Sequence, residues 1–595
     1  MPDPLNFVLD DIVSLSVRVG GAPISDLAMV ARVEVETGVN RIPRARVRII
    51  DGSAVDGTFA LSDSGAFSPG QDIEVLAGYQ SFNTPIFKGI ILSQGLKVQG
   101  AGNSYLELSC ADPAVKMTFQ RSSRQFVDTS DSDVLLTLIR DAGLDGDVPA
   151  SDGTHEVIVK HEATDWDFLV MRAEALGRVV IADGGTVSIR PPDFEPPELV
   201  VQYGDSIASL DLEVDASTQV PPLTASAWDP ATQKVVSAKA GEPALNDQGD
   251  LDGDDLAADL GVTDGGLRSA RSLSREDLKA WAEARMMAAR LARIRGSIRF
   301  PGTALANPGA QIGVIGLGRH LNGTGYITGV HHVLQTGNWS TEVTLGLPGK
   351  GFAERHTDVS APKGAGQAPG VSGVQIAKVL QTHEDPLGQR RVKVQLVLQP
   401  EDSGGQWVRV LQPYASKEAG LSFLPEVGDE VVLAFVDGDP NAAVLMGALH
   451  SSARAGSAVP DEANTLKEIV TKSKLSLSFN DTDKTLTVKT PGGREVVLDD
   501  KAEAITIRDA AGNAVEMTKT GIALTSDGDI AVAAKGKLTL SGQKGIEAKS
   551  SGDVSAKGKS VKLQGQQSLS AKGGASAEIT SSGRTAVKGT LVAIN

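Results

Sequence analysis

The feature that most restricts the fold is a repeat near the C-terminus. A branched apolar residue returns every eight positions, at Ile522, Ile530, Leu538, Ile546 and Val554. A second apolar or small residue stands two places on, at Leu524, Val532, Leu540, Ala548 and Ala556. The register then slips by one and continues at Val561/Leu563 and Leu569/Ala571. Gly, Ser, Lys, Asp and Thr fill the other positions. A fixed short period of this kind reads as a β-solenoid or β-helix. Each octad offers two inward side chains, together worth about 3–5 kcal/mol if fully buried. Ordering eight backbone units opposes this by roughly 8–16 kcal/mol. Three chains wound together would share one core and pair every strand edge. The repeat therefore predicts a homotrimeric, intertwined β-helix with the five residues at Ile522, Ile530, Leu538, Ile546 and Val554 as its core. A single-chain solenoid is the competing reading.

Composition narrows the rest. The 595 residues allow several domains, and the formal net charge of −17 argues against broad nucleic-acid affinity. Aromatic residues make up only 4% against 65 glycines, which suits extended β structure better than one deep enzyme pocket. The single cysteine, Cys110, permits no intrachain disulfide and reads as an inert core residue at a strand end. The opening MPDPLNFVLDDIV has neither the basic start nor the apolar centre of a Sec leader, so synthesis in the cytoplasm without a signal peptide is expected. No apolar run approaches the length of a spanning helix.

Along the chain, alternation at Val33, Val35, Ala45, Val47 and Ile49 around a turn at Gly38-Val39-Asn40 predicts half-buried strands. Three helices interrupt the β pattern. One runs from Asp131 to Ala142, ended by Gly143. A second starts at an N-cap Thr164, with Asp167 three residues on, and is closed by Gly177. A third starts at Ser274 with Asp277, places Leu278, Trp281, Ala284, Ala288 and Leu291 on one face, and is expected to end at Gly296. A Gly/Pro/Ala stretch from Ala361 to Gly373 marks a boundary. Behind it, five strand candidates (VQIAKVLQT, RRVKVQLVL, QWVRVLQPY, DEVVLAFVD, AAVLMGALH) crowd into residues 374–450, the size of a small closed barrel such as an OB-fold.

These residues resemble a known family, the VgrG-type spikes of contractile injection systems and their contractile-phage relatives. DWDFLVMRAEALGRVVIADGGTVSI (165–189), PAVKMTFQRSSRQF (113–126) and RFPGTALANPGAQIGVIGLG (299–318) are similar to the family's N-terminal half. FLPEVGDEVV, AF, DGDP and MGALH, in that order within 420–450, carry the most specific likeness. The resemblance implies a mainly β, non-enzymatic homotrimer. A hub of two β-barrels with a few helices would occupy 1–365, a linker 366–373, an OB-fold neck 374–450, a connector 451–465 and a trimeric β-helix shaft 466–595. It further implies docking on a hexameric inner tube and baseplate, a PAAR-type tip protein, effector cargo and puncture of a target envelope. The particle would be phage-tail-like, released from the cell or translocated on firing. The wording around ATDWDF lies nearest to extracellular contractile systems.

Candidate chemistry is sparse. About 15 residues, 451–465, join neck and shaft, too few for the lysozyme domain of some phage relatives. All eight histidines stand at or before His450, so the shaft has no histidine metal site and no cofactor is expected. Leu591, Val592 and Ile594 would instead give three chains an apolar platform for the tip protein, or simply finish the last β turn. His331 and His332, adjacent on a strand, point to opposite faces and cannot jointly chelate an ion. NDQGDLDGDDL (246–256) lacks the Gly and Glu that a calcium loop starting at Asp250 needs at its sixth and twelfth positions. GLGRHLNGTG (316–325) lacks the ending of a phosphate loop and reads as turns. The rival function is a stand-alone β-solenoid that binds or degrades glycans. It would need an aromatic stripe or a carboxylate cluster, and no aromatic residue follows Ile522.

Overall fold

The computed structural model describes residues 12–25, 28–100, 103–400 and 402–594. The N-terminal leader reading rests on residues 1–13, of which the first eleven lie outside the described ones. The chain divides into two compact units, Met1–Leu449 and His450–Asn595.

The N-terminal part of the first unit, up to Leu345, is organised around two matching sets of six strands. The first set is β1 (Val13–Val19), β2 (Val30–Gly38), β3 (Arg44–Ile50), β4 (Asp72–Tyr79), β5 (Phe82–Gln99) and β6 (Asn103–Ala111). The second is β7 (Leu199–Gln202), β8 (Ser209–Val214), β9 (Ile294–Pro301), β10 (Gln311–Ile315), β11 (Gly323–Gln335) and β12 (Asn338–Leu345). In the first set β1 pairs β4, β2 pairs β3, β3 pairs β6, β4 pairs β5 and β5 pairs β6. Adding six to every number reproduces the five pairings of the second set. The match extends to a β-bulge, between Ile91 and Ser93 in β5–β6 and between Ile327 and Gly329 in β11–β12. One pairing differs in sense: β1–β4 is antiparallel and β7–β10 parallel. The sets join where β2 pairs β11.

Each set wraps its own core. Val33, Val35, Val47, Ile49, Leu106 and Leu108 are fully buried in the first, and Ile298, Phe300, Ile312, Val314, Ile327 and Val343 in the second. The alternation read from Val33 to Ile49 thus marks one inward face, and the turn between its strands places Asn40 at φ 59°.

Two insertions carry the longer helices. Between β6 and β7 lie α1 (Asp131–Asp141) and α2 (Asp165–Ala175). Ser130 and Thr164 cap them by accepting from the amides of Asp133 and Asp167. Left-handed Gly143 and Gly177 follow their ends. Inside this module Asp131 receives the Arg172 guanidinium (Nε–Oδ1 2.8 Å) and lies 2.8 Å from His155 Nε2, fixing α2 to α1. Between β8 and β9 lies α3 (Arg275–Leu291), with a complete Ser274–Asp277 capping box. The expected stop at Gly296 is corrected. The helix ends at Ala292, and Gly296 is the third residue of β9. It is glycine because a Cβ there would meet the Asp211 carbonyl oxygen at 1.9 Å, with φ at 138°.

The five strands expected in 374–450 form a closed barrel: β13 (Gln375–Gln381), β14 (Val392–Leu396), β15 (Gln406–Val410), β16 (Glu430–Phe435) and β17 (Ala443–Leu449). Its core is Ala377, Val379, Val392, Val394, Val408, Val431, Leu433 and Leu445. The Ala361–Gly373 stretch is tied at both ends, by Ala361 N–H to the Glu162 carbonyl at 2.9 Å and Val371 N–H to that of Gly438 at 2.8 Å.

The second unit departs from a uniform shaft over 466–595. Residues 466–525 fold on themselves as a seven-stranded antiparallel meander: β18 (Leu466–Val470), β19 (Ser476–Asn480), β20 (Thr485–Lys489), β21 (Glu495–Asp499), β22 (Ala504–Arg508), β23 (Ala514–Thr518) and β24 (Gly521–Thr525). Short strands joined by turns such as Pro491-Gly492-Gly493 can pair locally, and they do. Of the octad residues that begin each repeat, only Ile522 lies in the meander. From Ser526 to Ile594 no strand forms within the chain, and bends recur at 527, 535, 543, 551, 558, 566, 574 and 582. Every step is eight residues except the seven from 551 to 558, which is the slip read from the apolar positions.

Candidate assembly surfaces

The meander has one apolar face. Its register aligns Leu477, Val488, Val496, Ile507, Val515 and Leu524 in one row across six strands. Phe479, Leu486, Leu498, Ile505, Met517 and Ile522 form a second row beside it. Alternate residues on the other face are mostly polar, such as Ser478, Thr487, Thr506 and Glu516. No second layer covers the apolar rows: Phe479, Val488, Leu498, Ile507 and Leu524 remain 41–57% exposed. Strands of period 2 place alternate side chains on one face, so the signal was present in LSLSF, TLTVK, EVVLD and AITIR. The eight-residue period further along does not reveal it.

The tail continues the same deficit. Ile530, Leu538, Ile546 and Val554 are 51–70% exposed, and the backbone around them forms no strand ladder. Leu591 and Ile594 are about nine-tenths exposed and Val592 about half. These three stand close together in sequence at the end of the described chain.

The ionisable residues singled out in the sequence serve the fold. His332 is buried, with Nδ1 2.9 Å from Thr341 Oγ1, and burial lowers its pKa to about 3, so the ring is neutral. His331 faces the other way, opposite Glu36 and Glu342. Burial raises the Cys110 thiol to about 12, which leaves it without nucleophilic character. The acidic stretch 246–256 runs into a short helix, Gly253–Asp259, and its carboxylates meet basic side chains of the fold. Asp254 pairs with buried Arg290, Asp252 with Arg293 at 3.6 Å, and Asp250 with His320 Nδ1 at 2.5 Å. Among the described residues no group of three or more His, Cys, Asp or Glu is placed to hold a metal ion. No helix among them is long and apolar enough to cross a membrane.

A duplicated set of β-strands, a closed five-stranded barrel of the phage-baseplate OB type and an amphipathic meander leading into a phage-baseplate V trimerisation domain make this chain a relative of VgrG-type and phage-baseplate spike proteins. The chain belongs to the family of the Alg8 N-terminal domain, which matches residues 9–336. The type VI secretion system/phage-baseplate injector OB domain matches 375–450, and the phage baseplate V C-terminal trimerisation domain matches 485–575. Among curated proteins it is similar to the type VI secretion system spike protein VgrG3 of Vibrio cholerae, 34% identical over 103 residues. That match covers 16% of this chain and spans a tenth of the relative's length. Among solved structures, the prophage MuSo2 43 kDa tail protein of Shewanella oneidensis is 12% identical, with 57% of this chain and 99% of that one covered at a TM-score of 0.43. A tail protein of Neisseria meningitidis is 18% identical, with 57% and 97% covered at a TM-score of 0.42.

Proposed function

We propose that three copies of this chain form the central spike of a contractile injection particle. The observation that carries this reading is the uncovered apolar face of the meander, followed by residues 526–594 with no strand partner in their own chain. Backbone N–H and C=O groups in extended chain need partners, and an apolar sheet face needs a second layer. Three identical chains supply both. Their apolar rows pack around one axis, and the octads of each chain pair with those of the other two.

In this reading the hub docks on a hexameric inner tube and the surrounding baseplate, and Leu591, Val592 and Ile594 seat a PAAR-type tip. Contraction drives the spike through a target envelope with its cargo. The role is mechanical and needs no catalytic group. The duplicated hub supports it, since three copies of a two-part hub present six similar parts to a sixfold tube. Light scattering on the full chain, beside a version ending at Ser451, tests the proposal. The expected result is a trimer that depends on the residues removed. A monomeric full-length chain would overturn it and favour the stand-alone solenoid.

A further inference from the structure

The hub repeat leaves two strand edges unmatched, and they are equivalents of two edges already joined within the chain. β2 pairs β11 along Arg32–Gly38 and Gln335–Gly329. The counterpart of β2 is β8, and the counterpart of β11 is β5. Among the described residues β8 has β9 on one side and no strand on the other. Beyond Ile91, β5 has β6 on one side and, among the described residues, no strand on the other, because β4 reaches only to Ile90.

Side-chain exposure follows the same logic. Leu334 of β11 crosses the junction and is buried in the first core, 3% exposed. Its counterpart by the shared bulge is Val98, which is 63% exposed. The counterpart of buried His332 is Leu96, 44% exposed although its cross-strand mate Leu106 is fully buried. On the other edge, Leu210 and Leu212 lie against the second core and are only partly covered. Each edge therefore carries inward apolar residues that the chain itself does not cover.

We infer that β8 of one protomer adds antiparallel to β5 of the next, repeating between chains the β2–β11 junction within each chain. This rests on the trimer proposed above, and it goes further by fixing which strands meet and in what register. The register follows from four observed ladders. Leu212 pairs Gly296 as Val35 pairs Ala45, and Gly296 pairs Leu345 as Ala45 pairs Cys110. Leu345 and Cys110 pair Ile327 and Ile91 at matching bulges. Since Val35 lies opposite His332, Leu212 lies opposite Leu96 of the neighbouring chain. One residue along, Asp211 lies opposite Lys97, an acid facing a base on the outer surface. Such a head-to-tail contact closes into a ring, and with three chains it joins six half-hubs edge to edge.

The test is disulfide trapping in the full-length chain carrying both Leu96→Cys and Leu212→Cys, positions at the open strand edges that the chain covers only in part. Directly opposed residues of an antiparallel pair lie within disulfide reach. Cys110 stays in place because it is buried. Mild oxidation is expected to convert most of the chain to a covalent trimer on a denaturing gel, reversed by dithiothreitol. The Lys97→Cys/Leu212→Cys pair, on opposite faces, is expected to stay uncrosslinked. Trapping in both pairs, or a ladder beyond three chains, overturns the register or the ring. A protein that is trimeric by light scattering yet gives no trapped product overturns this inference and leaves the trimer standing. A monomer by light scattering overturns the trimer itself. Hydrogen exchange on the unmodified protein gives a second reading. The outward amides of 94–98 and 210–214 are expected to exchange at least ~100-fold more slowly than an open edge, and open-edge rates there would overturn the pairing.

Discussion

His332 and Thr341 face each other across β11 and β12, joined Nδ1 to Oγ1 at 2.9 Å with both side chains out of reach of water. Burial lowers the His332 pKa from 6.5 to about 3. Between those values the unfolded chain binds a proton that the folded chain refuses, so this site's stability is fully present above pH 6.5 and is lost as pH falls toward 3. The slope is about 1.4 kcal/mol per pH unit at most. Urea unfolding from about pH 7 to about pH 4 is expected to show a shallower loss in His332→Gln than in the unmodified protein. Equal slopes would remove His332 from the acid response.

Lys160 is a buried cation in the helical module. Its ammonium donates to Ser122 Oγ at 2.7 Å and to the Ala163 carbonyl at 3.2 Å, and it pairs with Asp165 at the start of α2. Removing the partly exposed carboxylate that faces a buried ammonium leaves that charge uncompensated, a loss of about 3–5 kcal/mol when both partners are buried and less here. Asp165→Ala is expected to destabilise the first unit by less than about 3 kcal/mol in denaturant titration. Lys160→Met, of similar length and without charge, is expected to lose less. The reverse order would mean that the pair does not hold this module.

Neighbouring valines on β21 separate the two faces of the meander. Val496 stands in an apolar row between Val488 and Ile507, whereas Val497 stands between Thr487 and Thr506. Val496→Asp is expected to abolish the trimer in light scattering, because the carboxylate enters the shared core three times. Val497→Asp is expected to leave it intact. Equal tolerance at both sites would exclude the apolar rows as the assembly surface.

Gly296 backs onto the Asp211 carbonyl, where a Cβ would sit at 1.9 Å. Gly296→Ala is expected to push β8 off β9, lower stability by about 1–3 kcal/mol, and speed hydrogen exchange across 209–214 selectively. An unchanged exchange pattern would show that the strands absorb the clash.

Much of the architecture was legible because local chemistry and tertiary structure agree. Thr164 and Ser274 cap helices where their spacing to Asp167 and Asp277 says they should. The five strand candidates of 374–450 all pair into one barrel, and the slip after Val554 reappears as a short step between bends. The hub duplication was not legible in the residues. Its likeness resides in pairing order and bulge position, and Ile91-Leu92-Ser93 shares only its first residue with Ile327-Thr328-Gly329. The meander was absorbed into the shaft because apolar alternation looks the same in a hairpin and in a β-helix. What separates them is whether a turn such as Pro491-Gly492-Gly493 returns the chain beside itself. Gly296 misled for a related reason: glycine after a helical pattern reads as a stop, and only the approach of Asp211 reveals its use.

The short step between the bends at 551 and 558 gives the tail a key. Were every repeat eight residues long, three identical tails could lie side by side displaced by one full repeat and match almost as well as when aligned. One seven-residue step removes that degeneracy. Any displaced arrangement sets a long repeat against a short one, and over the stretch between the two short steps it puts apolar residues beside polar ones, Val554 beside Lys562 and Ala556 beside Gln564. In the proposed trimer the irregular step would work as an indexing notch, favouring the axial alignment in which three chain ends arrive level with one another.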